Sequence, residues 1–311
     1  MKSYKNISDY TIEKGAVVTI GTFDGVHQGH QKILSRVTEI AGKRDLTSIL
    51  LTFFPHPRMV LQPDNDLQLI NTIEERKSLV FNTGIEHIIT HPFSREFART
   101  TAHEYVKNIL VDQLNAKVVV IGYDHRFGRN RAASVVELLA YAEEYDFEVV
   151  EISKKEVEEV AVSSTKVRNA IIDGDLQTVT RYLNRPYSIY GTVVTGKQLG
   201  RTLGYPTANL KVAESYKLLP KNGVYVTSAV IEGATYYGMT NIGTNPTVDK
   251  GLTTTIETYF FDFMGDLYDF QLDLSFHKRL RDEVQFKSLE LLQKAMNQDE
   301  LNARNYAQQL G

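Results

Sequence analysis

The sequence predicts an α/β domain with a parallel sheet, followed by a smaller β-rich domain that ends in a helix. In the first half, short apolar runs alternate with helical patterns, an order typical of βαβ units. From Ser188 onward, β-rich runs are separated by Gly, Pro and Asn clusters, as in a small antiparallel barrel or sandwich. Because the pattern of predicted elements changes at Arg185-Pro186, we place the two domains at 1–184 and 185–311.

The elements of the first domain follow one another in regular order. Each predicted strand is a short apolar run, and each predicted helix has apolar residues at helical spacing. These elements are strand 16–20, helix 28–41, strand 47–54, helix 72–82, strand 87–90, helix 101–114, strand 117–122, helix 133–145 and strand 147–152. The order predicts a parallel sheet covered on both faces, and ligands of such sheets bind beyond the carboxyl ends of the strands.

The later elements begin with two helical patterns, at 164–173 and 175–184. β-rich runs then follow at short intervals. They cover 188–195, 223–231, 235–242, 253–263 and 268–276. A final helical pattern over 288–310 has apolar residues at 289, 292, 295 and 296. We expect this helix to cover the side or the end of a barrel.

The composition excludes several classes of protein. With 35 basic and 38 acidic residues the net charge is −3, which gives no global attraction to nucleic acid. The lack of cysteine excludes disulfides, thiolate metal sites and a thiol nucleophile, and it suits a reducing cytoplasm. No segment reaches the ~18 apolar residues of a membrane span. We therefore expect a cytoplasmic protein with small-molecule substrates, no nucleic-acid or membrane partner, and a monomeric or weakly homo-oligomeric state.

A glycine-rich turn between the first predicted strand and helix indicates a phosphate site. It reads Gly21-Thr22-Phe23-Asp24-Gly25-Val26-His27-Gln28-Gly29-His30. Glycines let the backbone approach a ligand closely, and the new helix offers unpaired N–H groups and the positive end of its dipole. His27 and His30 are three residues apart, so on a helix they share one face and can donate to the same phosphate oxygens. Two other interpretations stay open: helix-start histidines without a role, and a metal pair, although the His-Glu-x-x-His pattern is absent.

Two further segments come directly after predicted strands. They are Phe54-Pro55-His56-Pro57-Arg58 and Gly122-Tyr123-Asp124-His125-Arg126-Phe127-Gly128. Because ligands bind beyond the carboxyl ends of parallel strands, we expect both segments and the glycine turn to converge on one pocket. Taken singly, the segments also fit a rigid proline-rich loop and a polar hairpin.

A second anion site is indicated by Val162-Ser163-Ser164-Thr165-Lys166-Val167-Arg168. Ser163 or Ser164 can cap the helix that begins here, while the amides of its first turn, Lys166 and Arg168 face phosphate groups. The alternative is a plain N-cap on a surface helix.

The densest motif of the second half is a glycine-rich loop that enters a strand. It reads Gly196-Lys197-Gln198-Leu199-Gly200-Arg201-Thr202-Leu203-Gly204-Tyr205-Pro206-Thr207-Ala208-Asn209-Leu210. Such a loop can wrap a polyphosphate with backbone amides. Thr207 and Asn209 are two apart, so on a strand they point the same way, and a hydroxyl and an amide oxygen can hold Mg²⁺. As an isolated glycine-rich turn, the loop would be structural.

The motifs of the first half resemble the His-x-Gly-His nucleotidyltransferases, and within them the bacterial FAD synthetase branch. The Ser-Ser-Thr-x-x-Arg spelling, the Phe-x-Pro-His-Pro-type loop and the Gly-x-Asp-x-x-Phe-Gly loop all match. By this resemblance His27 and His30 are catalytic, at the α- and β-phosphates of ATP. The residues that it assigns to ATP and its phosphates are Gly21, Phe23, Asp24, Gly29, Asp124, Ser163, Ser164, Thr165 and Arg168, and those that it assigns to the flavin are Pro55, His56, Pro57, Arg126 and Phe127.

The chain departs from this family after Gly128. The family commonly has another glycine a few residues on, whereas here Arg129-Asn130-Arg131-Ala132-Ala133 follows. The geometry of the loop and the part played by Arg129 and Arg131 are therefore open.

The motifs of the second half resemble bacterial riboflavin kinases. Gly-x-x-x-Gly-Arg-x-x-Gly-x-Pro-Thr-Ala-Asn-Leu is shared, as are Asn222-Gly223-Val224-Tyr225, the run 241–247 and Glu257-Thr258-Tyr259. By this resemblance Glu257 accepts the proton of the ribityl hydroxyl, Thr207 and Asn209 serve Mg²⁺–ATP, and Arg281 lies near the flavin. The ATP residues that it implies are Gly196, Gly200, Arg201, Gly204, Pro206, Thr207 and Asn209. Without the resemblance, Glu257 would be read as an outward charge on a strand and Arg281 as part of a solvated basic edge.

Together the two resemblances cover nearly the whole chain, in the order found in bacterial bifunctional riboflavin kinase/FAD synthetases. They imply a Rossmann-like nucleotidyltransferase domain that converts FMN to FAD with release of pyrophosphate, and a riboflavin kinase-type barrel that converts riboflavin to FMN. Each domain would use Mg²⁺–ATP. Two rival functions are a tRNA-charging or tRNA-modifying enzyme, which would normally show an acceptor-stem domain or a basic face, and a flavin-binding or regulatory module with one inactive site.

Overall fold

The chain forms two compact units, Met1–Ser164 and Thr165–Gly311. The structure, a computed structural model, describes residues 1–62, 64, 66–123, 125–153, 162–196, 200, 204–246 and 252–310. The compact units divide after Ser164, whereas the sequence predicts a functional boundary between residues 184 and 185. That boundary stays a prediction.

The first unit is built on a six-stranded sheet in the order β1-β4-β3-β2-β5-β6, with all neighbours parallel. The strands are β1 (Lys2–Tyr4), β2 (Ala16–Ile20), β3 (Thr47–Phe53), β4 (His87–His91), β5 (Ala116–Gly122) and β6 (Glu148–Ile152). Every residue of β2 and β3 is buried, as expected for the centre of a sheet covered on both faces. The predicted parallel sheet is therefore confirmed.

Helices cover both faces of this sheet. They are α1 (Gln28–Arg44), α2 (Pro57–Leu61), α3 (Ile73–Phe81), α4 (Ala102–Glu104), which continues as a π-helix over Tyr105–Gln113, and α5 (Val135–Tyr145). Val17 and Val18 enter different buried clusters, one with Leu34 of α1 and the other with Leu138 of α5. Alternate strand residues thus supply two apolar cores, one on each side of the sheet.

The second unit is a closed antiparallel barrel of six strands, in the order β10-β11-β8-β7-β12-β9. Its strands are β7 (Tyr187–Val194), β8 (Ala208–Lys211), β9 (Gly223–Ile231), β10 (Ala234–Pro246), β11 (Leu252–Phe260) and β12 (Gln271–Arg281). Helices α6 (Ser164–Asp173) and α7 (Leu176–Leu183) precede the barrel, and α8 (Leu289–Ala307) follows it. The barrel, rather than the sandwich, is the confirmed form of the predicted β-rich domain.

The terminal helix covers one side of the barrel, as the sequence predicts. Met296 and the fully buried Ala303 of α8 pack against Val226 and Met239 of the barrel wall. Inside the barrel, the hydroxyls of three buried threonines form a chain across β9, β10 and β11, with oxygen distances of 2.7 and 2.8 Å. Each hydroxyl therefore has a partner away from water.

Within the described residues, no helix is both long enough and apolar enough to cross a membrane.

Candidate active sites

A cavity of about 560 Å³ lies at the carboxyl ends of β2, β3 and β5 in the first unit. The last residues of these three strands, Ile20, Phe53 and Gly122, all line it. So do residues of the glycine turn, of the proline-rich loop and of the loop after β5, together with Ser163 and Ser164. The expected convergence of these segments on one pocket is thus present in the fold.

The glycine turn has a backbone that most residues avoid. Gly25 has φ 90°, and a Cβ there would lie 2.9 Å from the side chain of Ile70. Phe23 and Val26 also have positive φ, at 48° and 40°, although neither is a glycine. Left-handed backbone in a β-branched residue such as Val26 is costly and persists only where the surrounding structure enforces it. Strain of this kind concentrates at functional sites.

His27 and His30 stack against each other at the start of α1. Their ring centroids are 3.6 Å apart and the rings are 13° from parallel. His27 is the N-cap residue, and its Nδ1 accepts a hydrogen bond from the backbone N–H of His30 at 3.3 Å. A neutral His27 therefore carries its proton on Nε2, which remains as a donor.

The electrostatics of this pair favour uncharged imidazoles. Burial, followed by the nearby His27 and Arg76, holds the pKa of His30 well below its usual value of 6.5. Two stacked imidazolium rings would repel each other strongly, so adding a second charge here is unfavourable. The Nδ1 atom of His30 is buried and has no hydrogen-bond partner among the described residues. Both rings line the cavity.

Asp24, whose predicted role at ATP stays a prediction, is buried within the turn. Its carboxylate accepts hydrogen bonds from the backbone N–H groups of Ile70 and Asn71 at 3.1 and 3.2 Å. The guanidinium of Arg76 lies 3.5 Å away, and both side chains are 1% exposed. The buried carboxylate therefore fastens the turn to the segment before α3, and Asp24 is not among the residues that line the cavity.

Ser164 ties its own segment to the same turn. Its hydroxyl donates to the backbone carbonyl of Asp24 at 2.9 Å, and Ser163 lines the cavity beside it. Thr165 and Arg168 follow in the first turns of α6. Their predicted roles at the phosphates stay predictions.

The predicted flavin residues have different positions. Pro57 lines the cavity, whereas Pro55 is exposed and His56 caps α2 by accepting from the N–H of Arg58 at 3.1 Å. In the loop after β5, Arg126 is exposed and lines the cavity, and the ring of Phe127 is buried. Asp124 lies outside the described residues.

An aromatic wall of the cavity was not predicted from the sequence. Phe93 and Phe97 follow β4, with ring centroids 5.8 Å apart, and Phe97 is also 5.5 Å from Phe53. Tyr105, at the start of the π-helix, lies 6.3 Å from Phe97 and 5.9 Å from Phe127. The rule that ligands bind beyond the carboxyl ends of strands could have indicated Phe93 and Phe97, because they come just after β4.

The loop after β5 is closed even though its sequence differs from the family pattern after Gly128. Phe127 and Ala133 exchange two backbone hydrogen bonds of 3.0 and 3.2 Å across it. Asn130 and Arg131 have φ 57° and 55°, the left-handed backbone that glycine adopts most easily. The turn therefore forms without the additional glycine that the family commonly has.

In the second unit, the barrel places Glu257 between two asparagines. Glu257 of β11 pairs in register with Asn209 of β8 on one side and with Asn241 of β10 on the other. Directly opposite residues point to the same face with Cβ atoms about 5 Å apart. Thr207 immediately precedes β8, and its carbonyl accepts from Nδ2 of Asn209 at 3.4 Å. The fold thus brings together three residues that the sequence separates.

The glycine loop approaches this row of side chains closely. A Cβ on Gly196 would overlap the side-chain amide of Asn209, and a Cβ on Gly200 would overlap the carbonyl oxygen of Tyr205. The N–H of Tyr205 donates to the carbonyl of Gly200 at 2.8 Å. Gly204 has φ 84°, Pro206 is exposed, and Arg201 lies outside the described residues.

The side chain of Arg281 is engaged by the terminal helix. Its guanidinium donates to both carboxylate oxygens of Asp299, at 2.7 to 3.0 Å, and Asp299 is 5% exposed. Its predicted place near the flavin stays a prediction.

Oxygen donors in the second unit suit a hard cation. Among the described residues, no group of three or more His, Cys, Asp or Glu side chains is placed to hold a metal ion. The oxygens of Thr207 and Asn209 are the hard ligands that Mg²⁺ prefers, and Mg²⁺ usually completes its shell with water and substrate phosphates. These residues therefore fit the ion.

Comparison with known families covers almost the whole chain. Residues 9–166 match the family model described as FAD synthetase, and residues 183–307 match the one described as riboflavin kinase. A bifunctional riboflavin kinase/FMN adenylyltransferase of Pseudomonas fluorescens is 36% identical over 294 residues, which are 94% of each chain. One from Listeria monocytogenes is 33% identical over 93% of this chain and 92% of the relative, and one from Escherichia coli K12 is 34% identical over 94% and 93%.

A solved structure is also similar over its full length. It is described as a macrolide-efflux protein from Streptococcus pneumoniae, has 33% sequence identity and a TM-score of 0.88, and the match covers 98% of both chains. Its likeness agrees with the fold of both units. On the matches of both family models and of the curated relatives, this chain belongs to the family of bifunctional riboflavin kinases/FMN adenylyltransferases.

Proposed function

We propose that this chain converts riboflavin to FMN in its second unit and FMN to FAD in its first unit, using ATP in both reactions. The two family models match in this order along the chain. One observation in each unit supports the proposal. In the first unit, His27 and His30 line a cavity at the carboxyl edge of the sheet. In the second unit, Asn209, Glu257 and Asn241 lie opposite one another on β8, β11 and β10.

In the first unit, a phosphate oxygen of FMN attacks the α-phosphorus of ATP. The bond to the bridging oxygen between the α- and β-phosphates breaks, and pyrophosphate leaves. The protein must position two anions and neutralise developing charge. His27 supplies its Nε2–H, and His30, held neutral by burial, adds a second donor without the repulsion of two cations. The strained glycine turn keeps these donors fixed before substrate arrives.

The aromatic wall supports the assignment of the acceptor to this cavity. Phe53, Phe93, Phe97 and Tyr105 line the cavity with aromatic rings that contact one another edge to face. A flavin ring system is planar and largely apolar, and aromatic side chains bind such rings by stacking and edge contacts.

In the second unit, the ribityl hydroxyl of riboflavin attacks the γ-phosphorus of ATP. Glu257 accepts the hydroxyl proton, the bond between the γ-phosphorus and the bridging oxygen breaks, and ADP leaves. Thr207 and Asn209 would hold Mg²⁺, which when bound neutralises charge on the phosphates. Because Nδ2 of Asn209 donates to the carbonyl of Thr207, the oxygen Oδ1 is the atom that can ligate a cation.

A single incubation tests the function. The purified chain is mixed with riboflavin, ATP and Mg²⁺, and the flavins are separated by chromatography. We expect FMN to appear first and FAD to follow, with one ADP and one pyrophosphate formed for each FAD. Folded protein that yields neither flavin nucleotide would refute the proposal. A cytoplasmic location and a monomeric or weakly associating state stay predictions.

A further inference from the structure

The described charged side chains that line the cavity of the first unit are basic. Among the described residues that line it, Arg126 and Arg131 carry the permanent charges, and none is an aspartate or glutamate. An arginine that lines a cavity without a carboxylate to pair with favours binding of an anion, because its guanidinium can donate two parallel hydrogen bonds to a phosphate or carboxylate.

Of these two arginines, Arg131 belongs to the turn that the Phe127–Ala133 pair closes. Arg131 forms no ion pair with a carboxylate among the described residues, whereas the buried Arg76 has Asp24. An exposed guanidinium at the mouth of a cavity, free of a competing carboxylate, can make two parallel hydrogen bonds to a phosphate.

The backbone of Arg131 is held in an unfavourable conformation. Its φ is 55°, its N–H donates to the carbonyl of Gly128 at 2.9 Å, and the loop is closed on both sides by the Phe127–Ala133 pair. Gly128 lies against the backbone of Ala102, so a Cβ there would come within 2.9 Å of the Ala102 nitrogen. The fold therefore directs Arg131 to the cavity against its local preference, a pattern found at ligand-binding positions.

We propose that Arg131 binds the phosphate of the flavin mononucleotide that accepts the adenylyl group. This assignment rests on the proposed function of the first unit. Arg131 belongs to the same closed turn as Phe127, whose ring packs on Tyr105 of the aromatic wall. In the proposed reaction, His27 and His30 at the start of α1 bind the triphosphate. Arg131, in the loop after β5, can therefore position the attacking phosphate of FMN while the histidines position the α-phosphate of ATP that is attacked.

The test uses variants that keep the backbone of the turn. Arg131→Asn removes the charge, and asparagine tolerates the left-handed conformation. Arg131→Gly serves the same purpose with no conformational cost at this φ. The matched control is Arg129→Gln in the same turn, because Arg129 is exposed and is not among the lining residues. FAD formation is measured in the full chain with FMN varied at saturating ATP, and then with ATP varied at saturating FMN.

We expect both Arg131 variants to raise the KM for FMN about 10-fold or more, the value of a lost charge-assisted hydrogen bond. The KM for ATP should stay within about twofold, and riboflavin phosphorylation should keep the wild-type rate. The proposal is overturned if the KM for FMN is unchanged, if the KM for ATP rises instead, or if Arg129→Gln causes the same loss. Failure of the wild-type chain to make FAD from FMN would overturn the proposed function itself, which is a different result.

Discussion

Gly196 lies at a position with no space for a side chain. A methyl group at this position would occupy the space of the Asn209 amide. We expect Gly196→Ala to displace Asn209 and to lower kcat/KM for riboflavin phosphorylation by about 10- to 100-fold, since small displacements in a reacting site have effects of this size. Conversion of added FMN to FAD should be unchanged.

The comparison for Gly196→Ala is Gly233→Ala in the turn between β9 and β10. Gly233 has φ 85° and open space around it, so its variant should lose stability without losing kinase activity. Chromatography of both products from each variant checks this. Equal loss of kinase activity in both variants would show that general destabilisation, rather than Asn209, is responsible.

His30 makes stability depend on pH. Its pKa is lowered in the folded chain, so between that value and about 6.5 the unfolded chain binds a proton that the folded chain does not. The stabilisation is complete above pH 6.5 and falls as the pH is lowered, by up to about 1.4 kcal/mol per pH unit. We expect His30→Gln to flatten this dependence in urea unfolding between pH 5 and 7.5, compared with the unsubstituted chain. An unaltered slope in His30→Gln would contradict the prediction.

Single residues were predictable where the signal is local. The glycine turn and the helix after it are adjacent in sequence, so His27 and His30 could be identified there. The contacts of Asp24 with Ile70 and Arg76 could not be predicted, because they depend on a segment more than forty residues away. The row of Asn209, Glu257 and Asn241 depends on strand register, which spacing along the chain does not reveal.

At the scale of elements, the terminal helix is held to the barrel by polar contacts as well as by apolar packing. The guanidinium of Arg281, at the end of β12, donates hydrogen bonds to the carboxylate of Asp299. Arg304 forms an ion pair with Asp262 at 2.7 Å. Tyr205, beside the glycine loop, donates to Asn297 at 2.6 Å and to Glu300 at 3.1 Å. Burial, and then the contact with Glu300, raises the pKa of Tyr205 to about 12, so it stays a donor at neutral pH.

A double-mutant cycle on Arg281 and Asp299 separates a structural role from a role at the flavin. If Arg281 mainly anchors α8, then Arg281→Gln, Asp299→Asn and the double variant should lose similar stability, about 1–3 kcal/mol each, because either change breaks the same pair. The KM for riboflavin should then respond equally in both single variants. A rise in this KM in Arg281→Gln alone would instead assign Arg281 to the flavin.

The elements themselves were predicted closely because their apolar periodicity is strong. Helix α6 and strand β9 have the predicted bounds, 164–173 and 223–231. Strand β1 has no apolar run, since Lys2–Tyr4 is a short edge strand with two exposed residues, and so it gave no signal. The choice between barrel and sandwich could not be made from strand spacing, because it depends on whether the β9–β10 and β8–β11 pairings close the sheet.

For the whole molecule, two separately folded units imply two separable reactions. The first unit holds the cavity lined by His27 and His30, and the second holds Asn209 and Glu257 on neighbouring strands. We expect His27→Ala to lower FAD formation from FMN by about 10²-fold or more, the effect of removing a donor at developing charge, and to leave FMN formation intact. Glu257→Gln should do the reverse, with a loss of about 10²- to 10⁴-fold in FMN formation.

A mixture of these two variants tests whether FMN passes through solution between the two reactions. In the mixture, FMN made by the His27→Ala chain must leave that molecule and enter a Glu257→Gln chain before FAD can form. We expect FAD to accumulate after a lag that shortens as protein concentration rises, because the second step then waits for free FMN. If either single variant lost both reactions while folded, the division of labour would be wrong. If each variant kept its own reaction and the mixture still made no FAD, FMN would have to pass between sites without entering solution.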